Sequence, residues 1–191
     1  MRSLKLIALA FAMIFAIACK DSKKDSETKI KTEDVTEQNS TEKRLSVSLY
    51  PKSGSNVEGT INFVEKNGFV TMVGTVKGLE EGQHAIHIHE KADCSSEDGS
   101  SSGGHWNPTG QPHGAWGDKA GYHKGDIGNI TANANGRATV SKSTNEWCIG
   151  CGDETKDILD KAIIVHIGID DLTSQPSGNA GARIGCAGII K

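Results

Sequence analysis

The chain has 191 residues, of which 36% are hydrophobic and 5% aromatic, and its formal net charge at pH 7 is −3. This length suits one ordinary domain and is too short for two large ones. The near balance of 21 basic and 24 acidic residues argues against a basic binding face, so we expect no nucleic-acid partner.

The N-terminal segment has the pattern of an export signal. MRSLK carries two positive charges, and LIALAFAMIFAIA is an apolar run, too short for a comfortable membrane span, that ends in small residues. The run stops at Cys19 in AIAC, which resembles the lipobox of bacterial lipoproteins, although Ala16 stands where Leu is more usual. We predict a lipoprotein signal peptide over 1–18 and lipidation of Cys19. The alternative is an ordinary secretory signal that leaves a free thiol.

Residues 19–43 are predicted to form a disordered tether behind the lipidated cysteine. They contain six lysines and seven acidic residues, but only Ile30 and Val35 as large apolar side chains. Such a stretch cannot bury enough apolar surface to offset the entropy of ordering. Several acyl chains would anchor the protein to a membrane outside the cytoplasm, on the periplasmic side or at the outer membrane. Removal of residues 1–18 leaves 19 basic and 24 acidic residues, so the mature chain is acidic.

Residues 44–191 are predicted to form a single domain of strands and turns. LSVSLY alternates apolar and polar residues, and Asn67-Gly68 and Asn135-Gly136 each stand between β-rich runs, which is a hairpin signal. AIIVHIG and ARIGCAGII predict the last two strands. No long segment has apolar residues at helical spacing. The expected fold is therefore all-β, with about eight antiparallel strands in a Greek-key sandwich or barrel.

Clustered histidines are the most unusual feature of this domain. His87 and His89 in HAIHIHE face the same side of an extended strand, so two imidazoles converge. Alone, this pair would equally suit a polar sheet face. A Gly- and Pro-rich connection, too long for a hairpin turn, adds three histidines and one aspartate. These residues are His105, His113, His123 and Asp126. The set favours zinc or copper over magnesium or calcium, and its ligand bonds would order the loop.

Five motifs together resemble those of copper/zinc superoxide dismutase. They are AIHIHE, GGHWNP, HKGDIGN, VHIGIDDL and GNAGARIGCAGII, in the order and approximate spacing of that family, over about residues 45–191. The resemblance implies an eight-stranded Greek-key fold with long metal-binding and electrostatic loops. It also implies copper and zinc as cofactors and dismutation of superoxide to oxygen and hydrogen peroxide as the activity.

The resemblance further implies roles for individual residues. The implied copper ligands are His87, His89, His105 and His166. The implied zinc ligands are His105, His113, His123 and Asp126. His105 would thus bridge both metals and act as a proton donor in the second half-reaction. Asp170 would hydrogen-bond one ligand of each metal, His87 and His113, and thereby fix their orientation. His84 is implied to be a structural hydrogen-bonding residue without a metal.

Superoxide is an anion and needs a positive guide in an acidic protein. The resemblance places Arg183 beside the copper, where its permanently charged guanidinium can pair with the incoming oxygen. The connection 167–182 is shorter than in the animal enzymes and contains no lysine. Lys124 is therefore a further candidate for steering.

Four cysteines remain after Cys19. The resemblance implies a disulfide between Cys94 and Cys186, which should stabilise the fold by about 3–5 kcal/mol in the chain-entropy model. Cys148 and Cys151 in EWCIGCGDETKD have no counterpart in the family pattern, and a CxxC can be a redox pair, half a zinc site or a local disulfide. In an oxidising compartment we favour a local disulfide. The alternative is a transient copper-loading site.

Two functions stay in view at this point. One is a superoxide dismutase, and the other is a non-enzymatic copper/zinc-binding envelope lipoprotein on the same scaffold. Every implied ligand position and the arginine are filled, which favours the enzyme. A cell-surface adhesion sandwich would leave the histidines without a role. Bacterial relatives do not all associate like the animal enzymes, so a homodimer is left open.

Overall fold

The structure, a computed structural model, describes residues 42–191. The predicted signal peptide, the lipidation site Cys19 and nearly all of the predicted tether lie outside these residues. The described part contains eight strands and, as its one helix, a single 3₁₀ turn at Ser100–Ser102. The strands are β1 Lys43–Pro51, β2 Glu58–Lys66, β3 Phe69–Lys77, β4 Gly82–His89, β5 Asp126–Ala132, β6 Arg137–Thr144, β7 Lys161–His166 and β8 Arg183–Ile189. Within residues 42–191, no helix is long and apolar enough to span a membrane.

All eight strands belong to one sheet, and every neighbouring pair is antiparallel. Their order is β5-β4-β7-β8-β1-β2-β3-β6. The two edge strands, β5 and β6, are consecutive in the chain, so the short connection between them brings the edges together and curls the sheet into a nearly closed barrel. The predicted all-β Greek-key fold is confirmed.

The two Asn-Gly turns have different outcomes. At the first, β2 and β3 pair directly, and Asn67 and Gly68 both have positive φ angles, 52° and 77°. That is the requirement of a type I′ turn, so the predicted hairpin is confirmed. At the second, only Gly136 has a positive φ, and β5 and β6 share no hydrogen-bonded ladder. The prediction of a second hairpin was wrong because this turn joins the two open edges of the barrel.

The barrel interior is apolar, and the outer face of two strands is buried as well. In β4, Ile86 and Ile88 belong to the interior cluster, while the alternate residues His87 and His89 face outward and are also fully buried. β7 shows the same alternation, and its Ile163 points into the barrel. Outward-facing residues of this region are buried because the long loops after β4 and β7 cover that face. The histidines therefore lie between the barrel wall and its loops.

Both cysteine pairs are joined in the structure. Cys94, in the loop after β4, is bonded to Cys186 of β8 with a Cα–Cα distance of 5.9 Å. It fastens the covering loop to the barrel beside Ala162 and Ile164. Cys148 and Cys151 are bonded to each other across a separation of three residues. The second disulfide closes only a local turn.

That local turn is also held by groups other than sulfur. The carboxylate of Asp157 accepts hydrogen bonds from the backbone N–H groups of Gly150 and Gly152, at 2.8 and 3.0 Å. The N–H of Ile149 donates to Glu65 at 2.8 Å, and Lys43 donates to the carbonyl of Ile149 at 2.7 Å. The pair thus sits in a turn built as a structural staple, which agrees with the local disulfide we favoured.

Candidate metal centre

Strands β4 and β7 supply three of the candidate ligands at points where their pairing is irregular. The register of β4 against β5 shifts between Ile86 and His87, and that of β7 against β8 shifts between Val165 and His166. Such irregularities re-aim the side chains that follow them. Both shifts fall directly before a histidine, so the outer faces of the two strands point their imidazoles toward one place.

The long connection between β4 and β5 is tied to the end of β4 by backbone hydrogen bonds. The N–H of Trp106 donates to the carbonyl of Ile88 at 2.8 Å, and the N–H of Ile88 donates to Gly125 at 2.9 Å. A Cβ on Gly125 would lie 2.2 Å from the Ile88 oxygen, so only glycine fits. These bonds bring His105 and Asp126, the neighbours of Trp106 and Gly125, against His87 and His89.

The first cluster consists of four buried imidazoles whose ligand atoms lie within 4.8 Å of one another. They belong to His87, His89, His105 and His166. One nitrogen of each ring is buried without a hydrogen-bond partner: His87 Nδ1, His89 Nε2, His105 Nε2 and His166 Nε2. A buried polar atom without a partner is costly unless another group satisfies it. Four such atoms aimed at one point form a donor set that suits copper.

The opposite nitrogens of these rings are fixed by hydrogen bonds. His89 Nδ1 donates to the carbonyl of Gly103 at 2.9 Å, and His166 Nδ1 donates to the carbonyl of Gly181 at 3.0 Å. Such bonds set the tautomer, so the unpartnered nitrogen carries the lone pair. Burial, together with neighbouring imidazoles, lowers the pKa of His166 to about 3 and that of His105 to about 4. Both rings are therefore neutral at pH 7, as ligation requires.

The second cluster contains three imidazoles around one carboxylate oxygen. Asp126 Oδ1 lies 2.9 Å from His105 Nδ1, 3.1 Å from His113 Nδ1 and 3.2 Å from His123 Nδ1. His105 Nδ1 and His123 Nδ1 are 3.5 Å apart. Four ligands around a tetrahedral zinc at its usual bond lengths would be separated by about 3.3 Å. The spacing and the donor types therefore fit zinc, and His105 belongs to both clusters.

Electrostatics hold Asp126 ionised at the centre of the second cluster. Burial alone would raise its pKa, but the hydrogen bond from His105 and the close imidazoles of His113 and His123 outweigh burial and hold the pKa well below its usual range. Its second oxygen accepts the backbone N–H of His123 at 2.8 Å and that of Gly114 at 3.1 Å. The carboxylate is thus both charged and fixed in direction, which a cation ligand needs.

Asp170 links the two clusters by hydrogen bonds to ring nitrogens that are not candidate ligand atoms. Its Oδ2 accepts a hydrogen bond from His87 Nε2 and its Oδ1 one from His113 Nε2, both at 2.8 Å. The Asp170 backbone is in turn paired with the side chain of Asn129, at 2.8 and 2.9 Å. A Cβ on Gly178 would lie 1.8 Å from Asp170 Oδ1, so the loop packs closely here only because that position is glycine. Asp170 thus contacts one ring of each cluster.

Arg183 lies beside the first cluster, at the start of β8. Its guanidinium donates to the carbonyls of Gly99 and Gly103 at 2.7 and 2.8 Å, and to Ser102 Oγ at 3.2 Å. Gly103 also accepts the hydrogen bond from His89. An open cleft of about 390 Å³ is lined by Arg183, His89, His105 and His166 among others. Arg183 is the one arginine or lysine in that lining among the described residues.

Lys124 is ion-paired and lies outside the lining of the cleft. Its ammonium forms an ion pair with Glu146. Its charge is paired by a carboxylate 22 residues away in the chain, and it does not line the cleft that contains Arg183, so Arg183 is the stronger candidate for steering.

His84 has the structural place that was expected of it. Its two ring nitrogens lie 3.0 Å from the carbonyl oxygens of His166 and Glu80. It belongs to neither metal cluster. The ring links the start of β4 to the end of β7, so it supports the wall that carries the ligands.

Sequence reasoning did not find Gln175, which brackets one ligand from the loop before β8. Its Oε1 accepts the backbone N–H of His113, and its Nε2 donates to the carbonyl of His113, both at 2.8 Å. Asn129 was missed in the same way. Neither residue carries a local signal, because an amide in a loop or strand is unremarkable until its distant partner is known.

Comparison with known proteins agrees with this geometry. Residues 57–189 match the family described as copper/zinc superoxide dismutase (SODC). The chain belongs to the copper/zinc superoxide dismutase family. An extracellular superoxide dismutase (Cu-Zn) of Caenorhabditis elegans is 36% identical over 137 residues, which cover 69% of this chain and 60% of that protein. The two donor sets described above therefore fit the two metals of the family.

Relatives within the family carry different names. A copper chaperone for superoxide dismutase of Rattus norvegicus is 36% identical over 154 residues, covering 75% of this chain and 52% of that protein. The chain thus spans about half to three fifths of the length of the curated relatives it matches. The crystal structure of a double mutant of a SOD-like protein from Bacillus subtilis is 33% identical, with a TM-score of 0.68, and covers 76% of this chain and 97% of that chain.

Proposed function

We propose that this protein is a superoxide dismutase that acts outside the cytoplasm. Copper would be held by His87, His89, His105 and His166. Zinc would be held by His105, His113, His123 and Asp126. One observation carries the proposal: four buried, unpartnered imidazole nitrogens converge beneath a cleft that Arg183 lines. A structural zinc site alone would not need that second, open-sided donor set.

The reaction consumes two superoxide anions and two protons and yields oxygen and hydrogen peroxide. Bound copper supplies the one-electron chemistry, whereas zinc has no redox chemistry and only shapes the site. Arg183 attracts and orients the anion in the cleft. His105 Nε2 would be a copper ligand, and only when that bond is released could the same nitrogen hold a proton and deliver it to the peroxide product. Asp170 and the carbonyls of Gly103 and Gly181 keep the other rings in their ligating tautomers.

A second candidate function is non-enzymatic copper/zinc binding on the same scaffold. The observation that favours it is the similarity to a protein named as a copper chaperone, which is as high as the similarity to a named dismutase. Metal handling requires the two donor sets, but it does not require a cation in the cleft above them. Arg183 therefore separates the two candidates.

Replacing Arg183 with alanine is expected to lower the second-order rate of superoxide loss on the order of 10–100-fold, because an attractive field at the cleft is lost. The rate should also become less sensitive to ionic strength, since salt screens charge steering. Arg183→Lys keeps the charge and should retain most of the rate. Stopped-flow decay of superoxide measures both effects, and Arg137→Ala removes an exposed charge as the control.

Metal content must be measured in the same samples, because Arg183 also supports the Gly103 carbonyl that fixes His89. A fully metallated Arg183→Ala protein with an unchanged rate would contradict the steering role. It would favour the metal-binding candidate.

We further propose that the protein is a membrane-anchored lipoprotein of the cell envelope. Two disulfides are typical of an oxidising compartment outside the cytoplasm, and one relative is named as extracellular. The AIAC sequence supports lipidation of Cys19. Metabolic labelling of the full-length chain with a fatty acid should give a labelled, membrane-associated protein, and Cys19→Ser should abolish the label. A wild-type chain that is cleaved but never acylated would indicate the ordinary secretory signal instead.

A further inference from the structure

One carboxylate holds both chain neighbours of the candidate zinc ligand His123. Glu146 lies in the connection between β6 and β7, and its Oε1 accepts a hydrogen bond from the hydroxyl of Tyr122 at 2.8 Å. Its Oε2 pairs with the ammonium of Lys124. The two contacts fall on either side of His123, so a single side chain from another loop binds the side chains of both chain neighbours of the ligand.

Trp147 adds a third contact to the same segment. Its indole Nε1 donates to the carbonyl of Lys124 at 2.9 Å, and the side chain is almost fully buried, at 1% exposure. The Trp147 ring meets Trp116 edge-on with centroids 5.6 Å apart, and Trp116 lies 4.9 Å from Tyr122. Lys142 of β6 places its ammonium 3.6 Å from the centre of the Trp116 ring. The connection after β6 thus contacts the segment around His123 through both polar and aromatic side chains.

The segment around His123 has little regular structure of its own. From His113 to Gly125 it contains no strand or helix, and residues 115–122 are all exposed or only partly buried. His123 and Asp126 form one such turn, closed by the N–H of Asp126 donating to the His123 carbonyl at 3.1 Å. Without outside contacts, ordering this turn around a cation would cost conformational entropy. Contacts that order it before metal arrives reduce that cost.

We propose that Glu146 and Trp147 form a positioning latch that holds His123 in its ligating place and thereby sets the affinity for zinc. The inference rests on the proposed role of His123 as a zinc ligand. Neither residue touches the metal cluster itself, so both are positioning residues. Copper should be affected little, because the latch lies on the side of the loop that carries His123 and contacts none of the copper-cluster rings through a hydrogen bond or ion pair within the described residues.

The test is zinc affinity, measured on the full-length protein by competition with a chromophoric chelator. Glu146→Ala should weaken zinc binding by about tenfold, the lower end of what outer partners of metal ligands contribute. Glu146→Gln can still accept a hydrogen bond from the Tyr122 hydroxyl but loses the ion pair with Lys124. Its zinc affinity should therefore lie between those of the wild type and Glu146→Ala. Glu154→Ala is the matched control, since it removes an exposed carboxylate from the same connection.

Two further readouts separate positioning from general weakening of the fold. Cobalt(II) bound in place of zinc should show an altered visible spectrum in Glu146→Ala, because His123 is less well oriented, and an unaltered one in Glu154→Ala. Copper affinity should stay within about twofold of wild type. Trp147→Phe keeps an aromatic ring but loses the indole donor, and it should also weaken zinc.

The possible outcomes bear on different claims. If Glu146→Ala has the same zinc affinity and the same cobalt spectrum as Glu154→Ala, the latch is overturned. The assignment of the metal ligands is then unaffected. Equal losses of copper and zinc in Glu146→Ala would also overturn it, because they would show a general structural role. A wild-type protein that binds no zinc would overturn the assignment of His123 together with the latch.

Discussion

Replacing His166 with alanine is expected to lower the rate of superoxide dismutation by roughly 1,000-fold or more, since the redox step depends on the bound copper. His166 Nε2 is one of the four unpartnered nitrogens of the copper cluster, and among residues 42–191 its other nitrogen is bound only by the Gly181 carbonyl. Zinc should remain at full occupancy, because His166 takes no part in the second cluster. Elemental analysis and superoxide decay on the same sample give the result.

His166 is a sharper probe than His87. His87 shares Asp170 with His113, so its removal would disturb both clusters at once. His123→Ala is the complementary variant, and it should lose zinc while it keeps copper. A His166→Ala protein that retains wild-type turnover would contradict the copper assignment. Simultaneous loss of both metals in each variant would mean that the two donor sets do not act as separate sites.

Removing the Cys94–Cys186 disulfide by the double replacement with alanine is expected to lower the free energy of unfolding by about 4–5 kcal/mol. The bond spans 92 residues, and in the chain-entropy model a long closed loop restricts the unfolded chain most. Alanine is the suitable replacement because Cys186 is fully buried and a serine hydroxyl would lack a partner there. Denaturant unfolding of the metal-free protein measures the change.

The second disulfide provides a matched control for this prediction. Cys148 and Cys151 are only three residues apart, so the same model gives about 2 kcal/mol for their removal. The turn is also held by Asp157 and Glu65, which limits the loss further. Equal destabilisation by both double variants would contradict the entropic account. Two alkylatable thiols at these positions in protein isolated under air would contradict the disulfide itself.

The disulfide at Cys94 should also affect the cleft. It fastens the loop that contains Gly99, Ser102 and Gly103, and this loop supplies all the hydrogen-bond acceptors of the Arg183 guanidinium found in the described part of the chain. The bond therefore links the stability of the barrel to the position of the cation above the copper cluster.

The fold was largely predictable because its signals are local. Strict alternation in the first strands and the Asn67-Gly68 turn depend on residues close in sequence. The Asn135-Gly136 turn shows the limit of such signals. A turn sequence does not reveal whether the strands on either side pair with each other or, as here, with opposite edges of a barrel.

The residues of the candidate site differ in how far the sequence predicts them. Strand parity alone placed His87 and His89 on one face, whereas His166 was assigned only through the resemblance of its motif. Residues that act through long-range contacts carried no signal. Gln175 meets His113 across 62 residues, and Glu146 cancels the charge of Lys124 across 22. Such pairings depend on how loops pack over the barrel, which sequence patterns do not encode.

The most direct test of the central claim combines metal content and turnover on one sample. Purified protein loaded with copper and zinc should contain about one of each metal per chain, as the two donor sets require. It should remove superoxide rapidly, and selective removal of copper should abolish that activity while zinc remains. Full occupancy of both metals without turnover would contradict the dismutase assignment and would favour a copper/zinc-binding lipoprotein.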